Sequence, residues 1–131
     1  MEDYNPYNDK NIEISQENIK RLLETYNVYY NIHNIDLYSR AFVHRSYIIP
    51  HNDIKLIEKP YHCVELKSNS NERLEFLGDG ILECITKLYL YKRFPDADEG
   101  FMTEKKISLV KNDHIGKLCY KMGLHLSLIH I

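Results

Sequence analysis

The chain reads as an all-α fold. Five stretches repeat their apolar residues at helical spacing, capping residues stand at the stretch ends, and no stretch alternates with period two. Residues 1–14 form a polar, Asn-rich lead-in. Ser15 caps a first helix whose Ile19, Leu22, Leu23 and Tyr26 share one face. Asp36 caps a second, through Leu37, Ala41, Phe42 and His44, and Pro50 ends it. Residues 50–70 mix Pro, Asn and Ser with short apolar pieces, and are expected to form a long loop of the functional or mobile kind. The strongest periodicity runs from Asn71 to about Phe94, where Pro95-Asp96 stops it. A fourth helix fits Thr103 to Lys111. A fifth, capped by Asp113, runs through Met122 to a stop at Gly123.

The size and composition suit one globular domain: 131 residues, 44% hydrophobic and 27% charged. A net charge of −2 excludes a uniformly basic nucleic-acid binder but not a local basic face. No apolar run is long enough to span a membrane, and Met1 to Lys10 carries no signal core. The 3 cysteines (Cys63, Cys84, Cys119) form no CxxC pair, which points to a reducing, intracellular setting, the cytoplasm first. Cys84 and Cys119 fall on apolar faces and are expected in the core.

The segment NERLEFLGDGILECI (71–85) carries the chemistry. On a helical wheel Glu72, Glu75, Asp79 and Glu83 share an arc of about 80°. Leu74, Leu77, Ile81, Cys84, Ile85 and Leu88 lie opposite and are expected to pack into a core. Like charges at these spacings repel by a few tenths of a kcal/mol per pair. Two readings follow: a solvated acidic face, or a divalent-cation site whose ion removes the repulsion. Gly78 and Gly80 inside the helix suggest close approach of another element. Phe76 falls on the acid side, which suits either a dimer contact or burial under the 50–70 loop.

NERLEFLGD (71–79) closely resembles the signature of the ribonuclease III family. AFVHRSY (41–47), GILECITKLYLYKRFPDADEG (80–100) and MTEKKISLVKNDHIGKLCYKMGL (102–124) resemble its flanking elements in the same order. The resemblance covers residues 16–125, so 15–125 is expected to be the family's endonuclease domain with an insertion at 50–70, most like the versions in large DNA viruses. It implies a homodimeric enzyme that cuts double-stranded RNA with Mg²⁺ (Mn²⁺ as substitute) and no nucleotide cofactor, leaving 5′-phosphate and 3′-hydroxyl ends. Glu75 and Asp79 match metal-site carboxylates, Glu72 and Glu99 match accessory catalytic acids, and Phe76 matches a dimer-contact aromatic.

The family completes its metal site with an Asp and a Glu on a later helix. No Asp or Glu follows Asp113, so the chain is expected to hold half a site, without the closing helix or a separate RNA-binding domain, and to be inactive alone. Leu126 to Ile131 reads LSLIHI, the translation of a transposon-end adapter used in DNA library preparation. Residues 126–131 are therefore expected to be a non-native tail. The alternative for the whole chain is a non-catalytic dimerisation or RNA-binding module of the same fold.

Lys105, Lys106 and Lys111 belong to a lysine-rich stretch that reads as a phosphate-contacting strip or as a solvated helix face. His44 reads as a packed histidine rather than a general base. His62-Cys63 lacks a second pair at zinc spacing.

Overall fold

The computed structural model describes residues 3–50 and 54–130. It is helical, with only isolated bridges and no strand among the described residues. Two compact units emerge, residues 1–72 with 125–131, and residues 73–124.

The first unit holds α1 (Gln16–Thr25) and α2 (Ile35–Ala41). Ser15 caps α1 through a reciprocal box. Its hydroxyl accepts from the Asn18 N–H, and the Asn18 side chain accepts from the Ser15 N–H. Ile19 is buried, while Tyr26 stays exposed at the C-cap. The cap of α2 is Asn34 rather than Asp36. The Asn34 side-chain Oδ1 accepts from the Asp36 N–H at 3.1 Å, so the helix starts one residue before Asp36 and ends before His44. His44 lies outside α2 and caps a 3-10 turn, Arg45–Tyr47, by accepting the Ser46 N–H through Nδ1.

Tyr47 is the centre of this unit, with no exposed surface. Its hydroxyl donates to the Val64 carbonyl at 2.8 Å, which satisfies the one polar atom of a buried ring. The Lys67 N–H donates to the Tyr47 carbonyl, and the Ile49 N–H to that of Lys67. The described part of the 50–70 segment is thus pinned across Tyr47, with Cys63 buried in it; residues 51–53 fall outside the described residues. Lys67 also pairs with Glu13. Within residues 126–131, Ile129 is buried. Its N–H donates to the Phe42 carbonyl and its carbonyl accepts from the His44 N–H, a bridge beside Val43.

The second unit is built from α3 (Glu72–Arg93), α4 (Glu99–Val110) and α5 (Asn112–Lys121). Helix α3 occupies the span that periodicity predicts. Helix α4 begins four residues before Thr103 because Asp98 caps it, accepting from the Phe101 N–H at 2.8 Å. Phe94 and Phe101 meet edge to face at 5.2 Å across the turn that joins α3 to α4. Helix α5 begins before Asp113, with Lys111 at the cap position and no side-chain cap bond. Asp113 instead pairs with Lys117 one turn on, at 2.9 Å. Gly123, at φ +72°, supplies the left-handed residue that ends α5.

The apolar arc of α3 does not pack as expected. Leu77, Ile81, Ile85 and Leu88 are 50% to 59% exposed, and Cys84 is exposed too. Thr86 and Leu90 are the buried residues of this helix. Cys119 is only half-buried. Nothing approaches Gly78 or Gly80 either, since a methyl group at each would meet no described atom within 4 Å. Helical phase identifies an apolar arc, but among the described residues most of that arc stays exposed, so the expected core face is not formed.

Candidate metal centre on the acidic helix

The acid row begins where the chain enters α3. The Asn71 N–H donates to the Val43 carbonyl at 2.8 Å, and its side-chain amide donates to the Ala41 carbonyl. These bonds hold Asn71, the residue before the helix, within the first unit. The Ser70 hydroxyl accepts the Glu72 N–H and donates to the Glu72 carboxylate at 3.1 Å. Arg45 Nη1 stands 3.7 Å from the other Glu72 oxygen. Glu72 is thereby oriented, although more than half of its side chain meets solvent.

Glu83, at the far end of the row, is held more firmly. Its Oε1 accepts from Lys87 Nζ at 2.9 Å and from Lys106 Nζ, on α4, at 3.1 Å. The Lys87 and Lys106 ammoniums hold this carboxyl below the ordinary glutamate range. Lys106 cannot be read as part of a solvated strip, because its side chain is only 22% exposed and ties α4 to α3.

Between these two ends lie Glu75 and Asp79. Both are exposed, and neither makes a hydrogen bond or ion pair among the described residues. They stand one helical turn apart on the same face. The row therefore consists of two cation-paired acids flanking two unpaired ones.

As a donor set, Glu75 and Asp79 fit a hard divalent cation. Carboxylate oxygens are the ligands Mg²⁺ prefers, and Mg²⁺ keeps several waters, so one or two protein carboxylates suffice for a partial shell. No group of three or more His, Cys, Asp or Glu side chains converges among the described residues.

The remaining candidates are dispersed. Glu99 opens α4 and accepts a hydrogen bond from the Thr103 hydroxyl at 3.0 Å. It lines a cleft with Lys87, Leu90, Tyr91, Met102, Thr103 and Lys106. Phe76 is 85% exposed among the described residues. Lys105 lies over the Phe101 ring at 5.3 Å, and Lys111 sits at the junction of α4 and α5. Sequence spacing misses Arg45, Ser70, Lys87 and Thr103 as partners of these acids. Lys87 and Thr103, each one helical turn after its acid, stand at a spacing that finds them.

Comparison with known proteins adds the following. Residues 72–131 match the family model described as Ribonuclease III domain. A "Ribonuclease 3" of Enterococcus faecalis is 38% identical over 96 residues, covering 73% of this chain and 36% of that protein. A "Probable ribonuclease 3" of Acanthamoeba polyphaga mimivirus is 35% identical over 115 residues, covering 83% of this chain and 21% of that protein. The chain thus spans about a third or less of these relatives' length. Among solved structures, the nuclease domain of a ribonuclease III from Campylobacter jejuni superimposes with a TM-score of 0.63 at 24% identity. That match covers 86% of this chain and 65% of the other, and the structure was described for flexibility in a region involved in dimer formation.

Proposed function

The chain belongs to the ribonuclease III family, and from that premise we propose that the acid row of α3 serves Mg²⁺-dependent hydrolysis of double-stranded RNA, leaving 5′-phosphate and 3′-hydroxyl ends. One observation carries this reading. Among the described residues the two acids in the middle of the row, Glu75 and Asp79, have no cationic partner, while Glu72 and Glu83 on either side have theirs. A carboxylate row paired with cations at its ends and unpaired at its centre supports the reading of an external cation at that centre.

Glu75 and Asp79 would hold the ion. When bound, Mg²⁺ supplies an activated water and offsets the charge that grows on the leaving oxygen and the transferring phosphate. Glu72, oriented by Arg45 and Ser70, is a hydrogen-bond acceptor for water at the start of the row. Glu99 has a comparable accessory role from α4, its carboxylate steadied by Thr103. Phe76 offers an exposed ring on the acid side of α3, and a second copy of the chain is the partner that would cover it. The substrate would be recognised by shape, phosphates and 2′-hydroxyls, since side chains cannot read the deep major groove of A-form RNA.

The test is cleavage of long double-stranded RNA by the full-length gene product with Mg²⁺ or Mn²⁺, beside Asp79→Asn. Cutting by the parent and loss in the variant supports the reading. A mobility shift without cutting in either would replace it with a binding module. Calorimetry supplies a second readout: divalent uptake that disappears in Glu75→Gln is expected, and uptake indifferent to Glu75 would overturn the ligand assignment.

A further inference from the structure

Lys87, Lys106 and Glu99 line one cleft between α3 and α4, and Glu83 accepts from both of its lysines. The charges balance, two against two, but the pairing is not shared evenly. Both ammoniums converge on Oε1 of Glu83, at 2.9 and 3.1 Å. Glu99 has no cationic partner among the described residues and accepts from the Thr103 hydroxyl instead. We propose that Glu83 is a positioning residue for Glu99: it holds both lysines of the cleft on its own carboxylate and so keeps them off Glu99, which stays available as an acceptor. The accessory role of Glu99 rests on the function proposed above, whereas the partition of the lysines does not.

An even split, one lysine to each acid, would separate two like charges and form a second ion pair. Three local features oppose it. Lys87 follows Glu83 by four residues with the glutamate N-terminal, the favoured order for such a pair. The Lys106 side chain is only 22% exposed, so its attraction to Glu83 is screened less than that of a surface pair. Glu99 lies in the first turn of the 12-residue α4, where the helix N-terminus stabilises a carboxylate without help from a lysine. Hydrogen bonds from Lys87 and then Lys106 hold the Glu83 carboxyl below the ordinary glutamate range, in keeping with the same partition. Glu99, Thr103 and Lys106 share one face of α4, at positions i, i+4 and i+7. Lys106 is therefore placed to turn to Glu99 once Glu83 no longer holds it, and the flexible lysine stem permits the turn.

A simple brace between α3 and α4 and a residue that partitions the lysines differ in what a second mutation does. The experiment is zero-length cross-linking of the full chain with a water-soluble carbodiimide, without RNA or divalent ions, read by peptide mass spectrometry. The parent is expected to join Glu83 to Lys87 and Lys106. Folded Glu83→Gln is expected to join Glu99 to one or both lysines, and Glu83→Asp to keep the parent pattern. Cleavage by the full-length gene product should fall roughly threefold or more in Glu83→Gln, the scale of coupling between neighbouring charges. Adding Lys87→Gln and Lys106→Gln to Glu83→Gln should return cleavage toward the parent, because Glu99 is then free again. Circular dichroism on each variant confirms the helices. A triple variant no better than Glu83→Gln would mean a brace and overturns the proposal. So does a folded Glu83→Gln without a Glu99 cross-link. A parent that joins Glu99 to the lysines as readily as Glu83 overturns it whatever the variants do. Absence of cutting by the parent, or cutting undiminished in Asp79→Asn, would instead count against the catalytic reading, and the cross-links would still decide where the lysines go.

Discussion

Asp79 and Glu83 differ by one turn of one helix, and their surroundings set them apart. Glu83 has two lysines within hydrogen-bond distance, whereas Asp79 has none among the described residues. Asp79→Asn is expected to lower cleavage by about 10²-fold or more, as removal of a charge-stabilising group does elsewhere, with circular dichroism unchanged. The Glu83 carboxyl is held below its ordinary value, so the unfolded chain binds this proton more readily. Its stabilising effect is present above the ordinary glutamate range and is lost as pH falls through the depressed value. Melting curves of the parent and Glu83→Gln should therefore differ near neutrality and converge in acid. A gap that widens on acidification would refute the pairing. The acid row itself is legible from spacing, because helical phase alone places the four acids together. The Lys106 pairing is not, because it joins residues on different helices.

Among the helices, the capping chemistry decides the boundaries. Ser15→Ala should cost about 1 kcal/mol in denaturant melts, since it removes the acceptor for the Asn18 N–H. Asn34→Ala should destabilise more than Asp36→Ala, because Asn34 makes the cap bond of α2; the reverse order would restore Asp36 as the cap. Spacing located α1 and α3 well because each starts at a clear polar-to-apolar change. It placed the start of α4 too late, because Gly100 masks a first turn that Asp98 secures. It also placed Asp113 at a cap, where the chain uses it as the partner of Lys117 instead. Gly123 was readable at once, and Gly123→Ala should destabilise by about 1 kcal/mol because its backbone sits at positive φ.

At the scale of the whole molecule, the dominant feature is apolar surface left in contact with water along α3. Leu77, Ile81, Ile85 and Leu88 are half exposed or more, and Phe76 stands out further on the acid side. Exposed apolar area of this kind drives association. The full chain is expected to self-associate in sedimentation velocity runs, and Phe76→Arg to shift it toward monomer without loss of helix signal. An unchanged distribution in Phe76→Arg would remove Phe76 from the contact. No helix among the described residues is long and apolar enough to cross a membrane.

The sequence by itself determined the helical class, the span of the long acidic helix, the common face of its four acids and the family signature. All of these depend on residues close in the chain, where helical phase and side-chain chemistry are sufficient. Only the tertiary structure decided which acids are neutralised, that Tyr47 forms the centre of the first unit, and that the apolar arc of α3 stays open. Those outcomes depend on Arg45 reaching Glu72, Val64 reaching Tyr47 and Lys106 reaching Glu83. Periodicity ranks residues by their aversion to water, but only the folded chain supplies the partner that excludes water or compensates a charge.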